Sequence, residues 1–483
     1  MRETRADRLH HRRRRRREPR PSAAPPVVGL VSLGCAKNLV DSEKILGHIA
    51  ESGAVISADE SVADTIVVNT CGFLEAARTE ALGVLTELAE RKRAGTLRRI
   101  VVVGCLVQRD GQKLLDVVPE IDALVGVHNR ADVVAAVWDS VKRPTRTPGA
   151  RPLDLYLGDY HPQAWEDRGR FRLTPRHYAY VRISEGCDQK CTFCTIPSIR
   201  GPLHGKSPDE LVAECRELMA DGARELILIG QDTTSYGADS GYEPGLAGLL
   251  RRLDAECEGA RWIRLMYAYP SVFTEEMMDA IAECERVVKY IDLPLQHIND
   301  RMLKAMGRRV TRSQTEALLE RIRVRIPGVT IRTTFIVGFP GETDAEFEEL
   351  LRFVREFGFD AAGAFQYSRE PETPAGRMAD QLDQAVKQER YGRLMLVQQE
   401  VALAAARRRI GASFEVLVDG DLGDGRGPLA RHAGQAPEVD AVCLLSTGGC
   451  ARGEFVRVRC VDTANYDLVI RPLERRLSVV PGP

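Results

Sequence analysis

A chain of 483 residues, 44% hydrophobic and 28% charged, has the make-up of a globular protein of roughly three domains. It carries no run of about 18 apolar residues, which excludes a membrane-spanning helix; its twelve cysteines, with no secretory signal, point to a reducing, cytoplasmic setting and to metal ligation over disulfides. The net charge of −1 is an average: residues 1–20 hold ten Arg against Glu3, Asp7 and Glu18, and the remaining −8 argues against a broad nucleic-acid-binding surface.

Residues 1–24, with Arg12 to Arg17 consecutive, combine like charges with no apolar anchor and are expected to form a disordered, dispensable tail. Residues 25–142 read as a first domain. Buried strands are predicted at 27–33, 65–69 and 99–103, with helices near 41–52 and 74–93. Strand–helix alternation implies a parallel α/β sheet whose ligand crevice lies at the carboxyl ends of the strands. Cys35, Cys71 and Cys105 follow the three strands at that edge. One cysteine after a strand is unremarkable, but three in the same place can converge on a metal cluster.

Residues 143–176 are expected to be a linker, Pro- and Arg-rich over 143–152, with no clear element over 153–176. From 177 to 409 six strands are predicted, at 178–183, 225–229, 262–267, 288–293, 330–337 and 360–367, with helices between them such as 208–220 and 343–357. Six such units suggest an incomplete (β/α)6 barrel, with its function at the carboxyl ends of the strands. A long helix over 381–409 leads into short strands and glycine turns over 410–476, a small antiparallel β-barrel, and a terminal tail at 477–483.

The loop after the first barrel strand carries EGCDQKCTFC. Cys187, Cys191 and Cys194 are spaced to ligate three irons of one [4Fe–4S] cubane, leaving the fourth iron open for a ligand. A structural zinc knuckle prefers two Cys-x-x-Cys pairs or a Cys/His set, and the sequence has no second pair. The other strand-end residues face the same opening. They are Gln231-Asp232, Tyr267 to Pro270, Gln296-His297, Tyr367-Ser368, and the turn GFPGET from Gly338 to Thr343, whose backbone amides could approach a ligand closely. His297 reads as a structural histidine. Cys215, Cys257 and Cys284 read as ordinary thiols, and Cys443, Cys450 and Cys460 lack metal spacing. The terminal barrel, with a charge of −3 over 411–475 and few aromatics (Phe414, Phe455, Tyr466), suits a basic protein partner better than RNA. Its acidic residues Asp419, Asp421, Asp424, Glu438 and Asp440 are expected to face that partner.

The spacing of Cys187, Cys191 and Cys194, with Phe193 before the last, resembles the radical S-adenosylmethionine superfamily. The ordered chain from about 27 to 476 resembles its methylthiotransferase family: an N-terminal three-cysteine domain, a radical barrel and a C-terminal TRAM (OB-like) barrel. One branch modifies an adenosine of tRNA (MiaB-like), the other an aspartate of small-subunit ribosomal protein S-twelve (RimO-like). SLGCAKNLVDSE, NTCGFLEAA, GCLVQR, DLPLQHINDRMLKAMGR at 292–308 and APEVD at 436–440 look like the second branch. ARHAGQAPEVD departs from it in lacking the usual Gly-Arg-Ser opening.

The resemblance implies two [4Fe–4S] clusters, on Cys187, Cys191 and Cys194 and on Cys35, Cys71 and Cys105. It implies S-adenosylmethionine as radical source and methyl donor, with Phe193, Gln231, Gln296, Gly338, Gly341 and Glu342 as candidate contacts. No catalytic residue is assigned beyond the cluster ligands. The implied reaction places a methylthio group on the β-carbon of the aspartate, and the implied partners are S-twelve and an external one-electron donor such as flavodoxin or ferredoxin. A tRNA methylthiotransferase and a non-catalytic iron–sulfur or RNA-binding adaptor are the alternatives.

Overall fold

The computed structural model describes residues 24–142, 154–158, 166–421, 427–446 and 449–473. The arginine-rich stretch 1–23, the Pro- and Arg-rich stretch 143–152, Asp424 and the tail 477–483 lie outside them.

The first sheet is wholly parallel. Its strands are β1 (Val27–Ser32), β2 (Val55–Ile56), β3 (Thr65–Thr70), β4 (Arg99–Gly104), β5 (Ala123–Gly126) and β6 (Asp154–Tyr156), in the order β2-β1-β3-β4-β5-β6. TIVVNT and RIVVVG are buried at every position, as central strands covered on both faces must be. The missed strands β2, β5 and β6 are two to four residues long, too short for a periodic signal. The last of them falls in the stretch that offered no clear element and pairs with Ala123–Val125. The first helix, Ala36–Glu51, starts at Cys35 and not near 41. Cys35 is its N-cap without a side-chain capping bond, so the usual sequence mark of a helix start is missing.

The second sheet holds β7 (Tyr178–Arg182), then, after a short hairpin-like pair β8 (Ser184–Glu185) and β9 (His204–Gly205), the strands β10 (Glu225–Ile229), β11 (Trp262–Leu265), β12 (Val287–Asp292), β13 (Thr330–Val337) and β14 (Ala361–Gln366). Its order β14-β13-β12-β11-β10-β7 is parallel throughout and open, an incomplete barrel. Capping boxes at Ser207/Glu210, Thr311/Gln314 and Thr343/Glu346 set three of the connecting helices. Helices pack on one face, where Val181, Leu228, Ile263, Ile291 and Val337 join the main core. The inner face carries Tyr178, Tyr180, Ile227, Trp262 and Tyr290, which pack with Val40 of the first helix and Leu417 of the terminal barrel.

That barrel closes as β15 (Ser413–Asp421), β16 (Pro428–His432), β17 (Cys443–Leu445), β19 (Asp467–Pro472) and β18 (Phe455–Ala464). It is not purely antiparallel as expected, because β17 and β19 run parallel. The expected acidic outer surface is corrected at three of its residues, while Asp421 stays exposed. Asp419 accepts from Arg431 and lies 2.8 Å from His177 Nε2. Asp440 accepts from the Tyr290 hydroxyl (2.8 Å) and faces Arg332. Glu438 is exposed, yet its carboxylate takes the hydroxyls of Tyr178 and Tyr180. These carboxylates join the barrel to the inner face of the second sheet, together with Arg431–Glu225 (2.7 Å) and the edge-on Trp262–Phe455 pair. Charged side chains on that inner face need partners, and the terminal barrel supplies them.

Candidate active site

Three turns of the first sheet converge through one buried side chain. Asn38 donates to Leu33 O (3.0 Å) and Thr70 O (2.9 Å), and the Cys105 thiol donates to Asn38 Oδ1 (3.5 Å). The turns carrying Cys35, Cys71 and Cys105 are thereby tied together. Gly34 adopts φ +95°, and a Cβ there would meet Cys71 Cβ at 2.7 Å. The backbone before Cys35 comes this close to Cys71 only because the residue is glycine. The site grades from open to closed: Cys35 is exposed, Cys71 half-buried and Cys105 buried. Burial raises the Cys71 thiol and pushes Cys105 up to about 12.

The other triplet sits in the loop clamped by β8 and β9. Cys187 N donates to Gly201 O (3.2 Å), Cys194 N to Cys191 O (3.2 Å), and Ile196 N to Cys194 Sγ (3.4 Å). Thr192 fixes the middle of the loop, donating from N to Met306 O and from its hydroxyl to Ala305 O. Arg308 stacks on Tyr269, 3.9 Å from the ring centre, and both reach Cys191 Sγ at 3.7 Å. Burial pushes Cys187 and Cys194 up to about 12.

Among the described residues no three His, Cys, Asp or Glu side chains stand close enough for a single metal ion. A cubane takes each thiolate on a different iron, so its ligands stand wider apart, and an all-thiol donor set at each site fits iron–sulfur ligation.

The remaining predicted residues divide. Gln231 donates to Glu185 from Nε2, while its buried Oε1 has no partner, an acceptor left for a ligand. Gln296 lies at the end of β12 with φ +71°, bridged by its backbone to Thr334 and Ile336. Tyr267, two residues past β11, has φ +60° and sits beneath Lys37 Nζ, 3.2 Å from the ring centre. Left-handed backbone at non-glycine residues collects at functional sites. Phe193 packs beside Met302, Met306, Phe339 and Tyr367, next to the GFPGET turn.

Within that turn Gly338 has φ +72°, and a Cβ there would stand 2.5 Å from Lys387 Cγ. Its amide donates to Glu342 Oε2, and the Gly341 amide donates to Asp380 O (2.7 Å). The amides expected to meet a ligand are therefore already paired, and the glycines act through shape. Glu342, expected as a cofactor contact, points into the fold. Its Oε1 lies 3.1 Å from His297 Nε2, and its Oε2 takes Arg390 Nη1 (2.7 Å) as well as the glycine amide. It braces the turn. His297 is the satisfied structural histidine expected: Asn299 N donates to its Nδ1, so Nε2 carries the proton to Glu342.

What the sequence reading missed is the tie between the barrel cysteine loop and the N-terminal triplet. Arg200, six residues after Cys194 and 1% exposed in its side chain, donates to Cys105 Sγ from Nε (3.2 Å) and Nη2 (3.1 Å). The same guanidinium meets Asn38 Oδ1 (2.6 Å), Glu185 (2.9 Å) and Asp41 (3.0 Å). Arg182 binds Asp41, Asp167 and Glu185, and Arg130 binds Asp41 and Asp167. A second tie joins Arg109 to Glu370 (2.6 Å), which also accepts from Glu75 N. Asn38, Asp41 and Arg200 lie in or beside the quoted motifs, but nothing local marks them as partners.

Comparison with known proteins gives the domains independent names. Residues 27–126 match the model described as Uncharacterized protein family UPF0004, residues 181–354 the Radical SAM superfamily, and residues 410–472 the TRAM domain. The ribosomal protein uS12 methylthiotransferase RimO of Desulforamulus reducens is 43% identical over 446 residues, covering 92% of this chain and 99% of the relative. RimO of an Anaeromyxobacter species is 45% identical over 453 residues, covering 94% of each. Among solved structures, the radical S-adenosylmethionine methyltransferase TsrM of Kitasatospora setae aligns with a TM-score of 0.53 at 17% identity, covering 73% of this chain and 77% of that one. It shares the fold.

Proposed function

The chain belongs to the RimO family of ribosomal protein uS12 methylthiotransferases, and from that premise we propose that it places a methylthio group on the β-carbon of one uS12 aspartate. Cys187, Cys191 and Cys194 hold one [4Fe–4S] cluster, and Cys35, Cys71 and Cys105 hold the second. With S-adenosylmethionine bound, the barrel site supplies an oxidant able to remove an unactivated hydrogen, which no side-chain base can do, and the N-terminal site supplies the sulfur.

The chain's own residues shape that chemistry. Gln231 offers its free Oε1 to S-adenosylmethionine, and Gln296, Phe193, Gly338 and Gly341 line its cradle. Arg308 and Tyr269 seat Cys191. Exposed Cys35 marks the side from which the aspartate-bearing loop arrives. A low-potential one-electron donor of the flavodoxin or ferredoxin type drives the reaction in the cytoplasm.

The observation that carries this reading is that the chain just after the barrel triplet reaches the N-terminal triplet: Arg200, six residues after Cys194, donates twice to Cys105 Sγ in a buried network. An electron carrier or adaptor has no use for two such sites tied through one arginine. Mass spectrometry of uS12 and of tRNA from a deletion strain tests it. The expected result is loss of one methylthio group from uS12, restored by complementation, with tRNA unchanged. Loss from tRNA with uS12 intact overturns it.

A further inference from the structure

We infer that Arg200, a residue of the radical domain, sets the reduction potential of the cluster held by the N-terminal domain. The inference rests on the assignment of Cys35, Cys71 and Cys105 as that cluster's ligands.

Two donors of one guanidinium converge on Cys105 Sγ at 3.1 and 3.2 Å. The fork is held from behind by Glu185, Asp41 and Asn38, so it cannot swing away without breaking three further contacts. Hydrogen bonds to a ligating sulfur and a fixed positive charge both favour the more negative, reduced cluster and raise its potential. Cys105 is also the most buried of the three thiols, where the local dielectric is lowest and a charge acts most strongly.

Among the described residues the barrel triplet has no equivalent. Arg308 offers Cys191 one nitrogen at 3.7 Å and spends its other Nη on Pro294 O and its face on Tyr269. The tuning group thus comes from the opposite domain. Arg200 closes the helix Ile196–Arg200 directly behind the barrel cysteine loop, so the N-terminal cluster has its working potential only while the two domains are docked.

The test uses full-length protein carrying C187A, C191A and C194A, so that one cluster remains, with about four irons per chain. Its potential is measured by redox titration followed by electron paramagnetic resonance, with Arg200 and then with R200K or R200Q. Glu185 and Asp41 keep Arg182 as a partner in both variants. The expected order is Arg200 highest, R200K lower, R200Q lowest, at equal iron content. The same potential in all three overturns the inference. A background protein that is folded but binds no iron overturns the ligand assignment instead.

If R200Q does not fold or does not hold iron, the background protein labelled with ¹⁵N-arginine decides. Electron–nuclear double resonance of the reduced cluster should show hyperfine coupling to an arginine nitrogen, and its absence overturns the inference.

Discussion

The two cysteine triplets are positioned by opposite means. The barrel triplet is local: three residues of one loop, clamped at its base by β8 and β9 and pinned at Thr192 to Ala305 and Met306 of its own domain. The N-terminal triplet is assembled from three strand ends, with Asn38 as its hub and Arg200 from another domain as its outer wall. A loop that carries its own geometry tolerates change elsewhere. A site built at a domain junction inherits every weakness of that junction.

The largest effect should come from removing the local site. C187A, C191A and C194A together should abolish S-adenosylmethionine cleavage and methylthiolated product alike, while iron falls from about eight to about four per chain. Iron analysis and chromatography of the cleavage products read both quantities. Retained cleavage would mean that the local loop is not the radical site.

Next comes the assembled site. C35A, C71A and C105A together should also leave about four irons. Here cleavage of S-adenosylmethionine persists and only the methylthiolated uS12 disappears. If the folded protein loses all its iron, the two sites are not separate.

E342Q asks whether the local site depends on anything remote. Glu342 braces Gly338, His297 and Arg390 in a buried cluster. Breaking it should cost about 3 kcal/mol, the low end for a buried pair, because Arg390 keeps Asp344. Denaturant unfolding gives the stability and equilibrium binding gives the affinity for S-adenosylmethionine. Both should fall, while the iron at the barrel triplet stays.

The smallest effect near neutrality is that of pH, and it should single out the assembled site. Burial works to raise Asp41 and Asp167, but the guanidiniums of Arg182 and its neighbours outweigh it and hold both below the ordinary aspartate value of 3.8. A depressed carboxylate contributes its stability in full above its unfolded value and loses it as pH falls through the folded one. Docking of the helix Ala36–Glu51 should therefore be constant from neutral pH to about pH 4 and fail below that. Hydrogen exchange followed during an acid titration should show this helix opening before the central strand β11. Simultaneous opening would place the weakest carboxylates elsewhere, for instance at Glu225 and Asp419 beneath the terminal barrel.

The sequence alone determined the local matters. Runs such as TIVVN and RIVVV read as buried strands and are buried strands, and two cysteine triplets stood out, one by its spacing and one by its place after three strands. These features repeat at short range, where side-chain period and loop length constrain the chain directly. The tertiary structure decided which charges meet. Glu342 has the look of a ligand contact in GFPGET, but Arg390 and His297 draw it inward. Asp419, Glu438 and Asp440 count as acidic surface in the sequence, but Arg431 and His177 take up the first carboxylate and the tyrosines and Arg332 of the inner sheet face the other two. Arg200 is one arginine among many until its helix brings it to Cys105. A charge has no sequence signature for its partner, because the pairing follows from where distant segments cross, and burial then makes every unpaired charge too costly to keep.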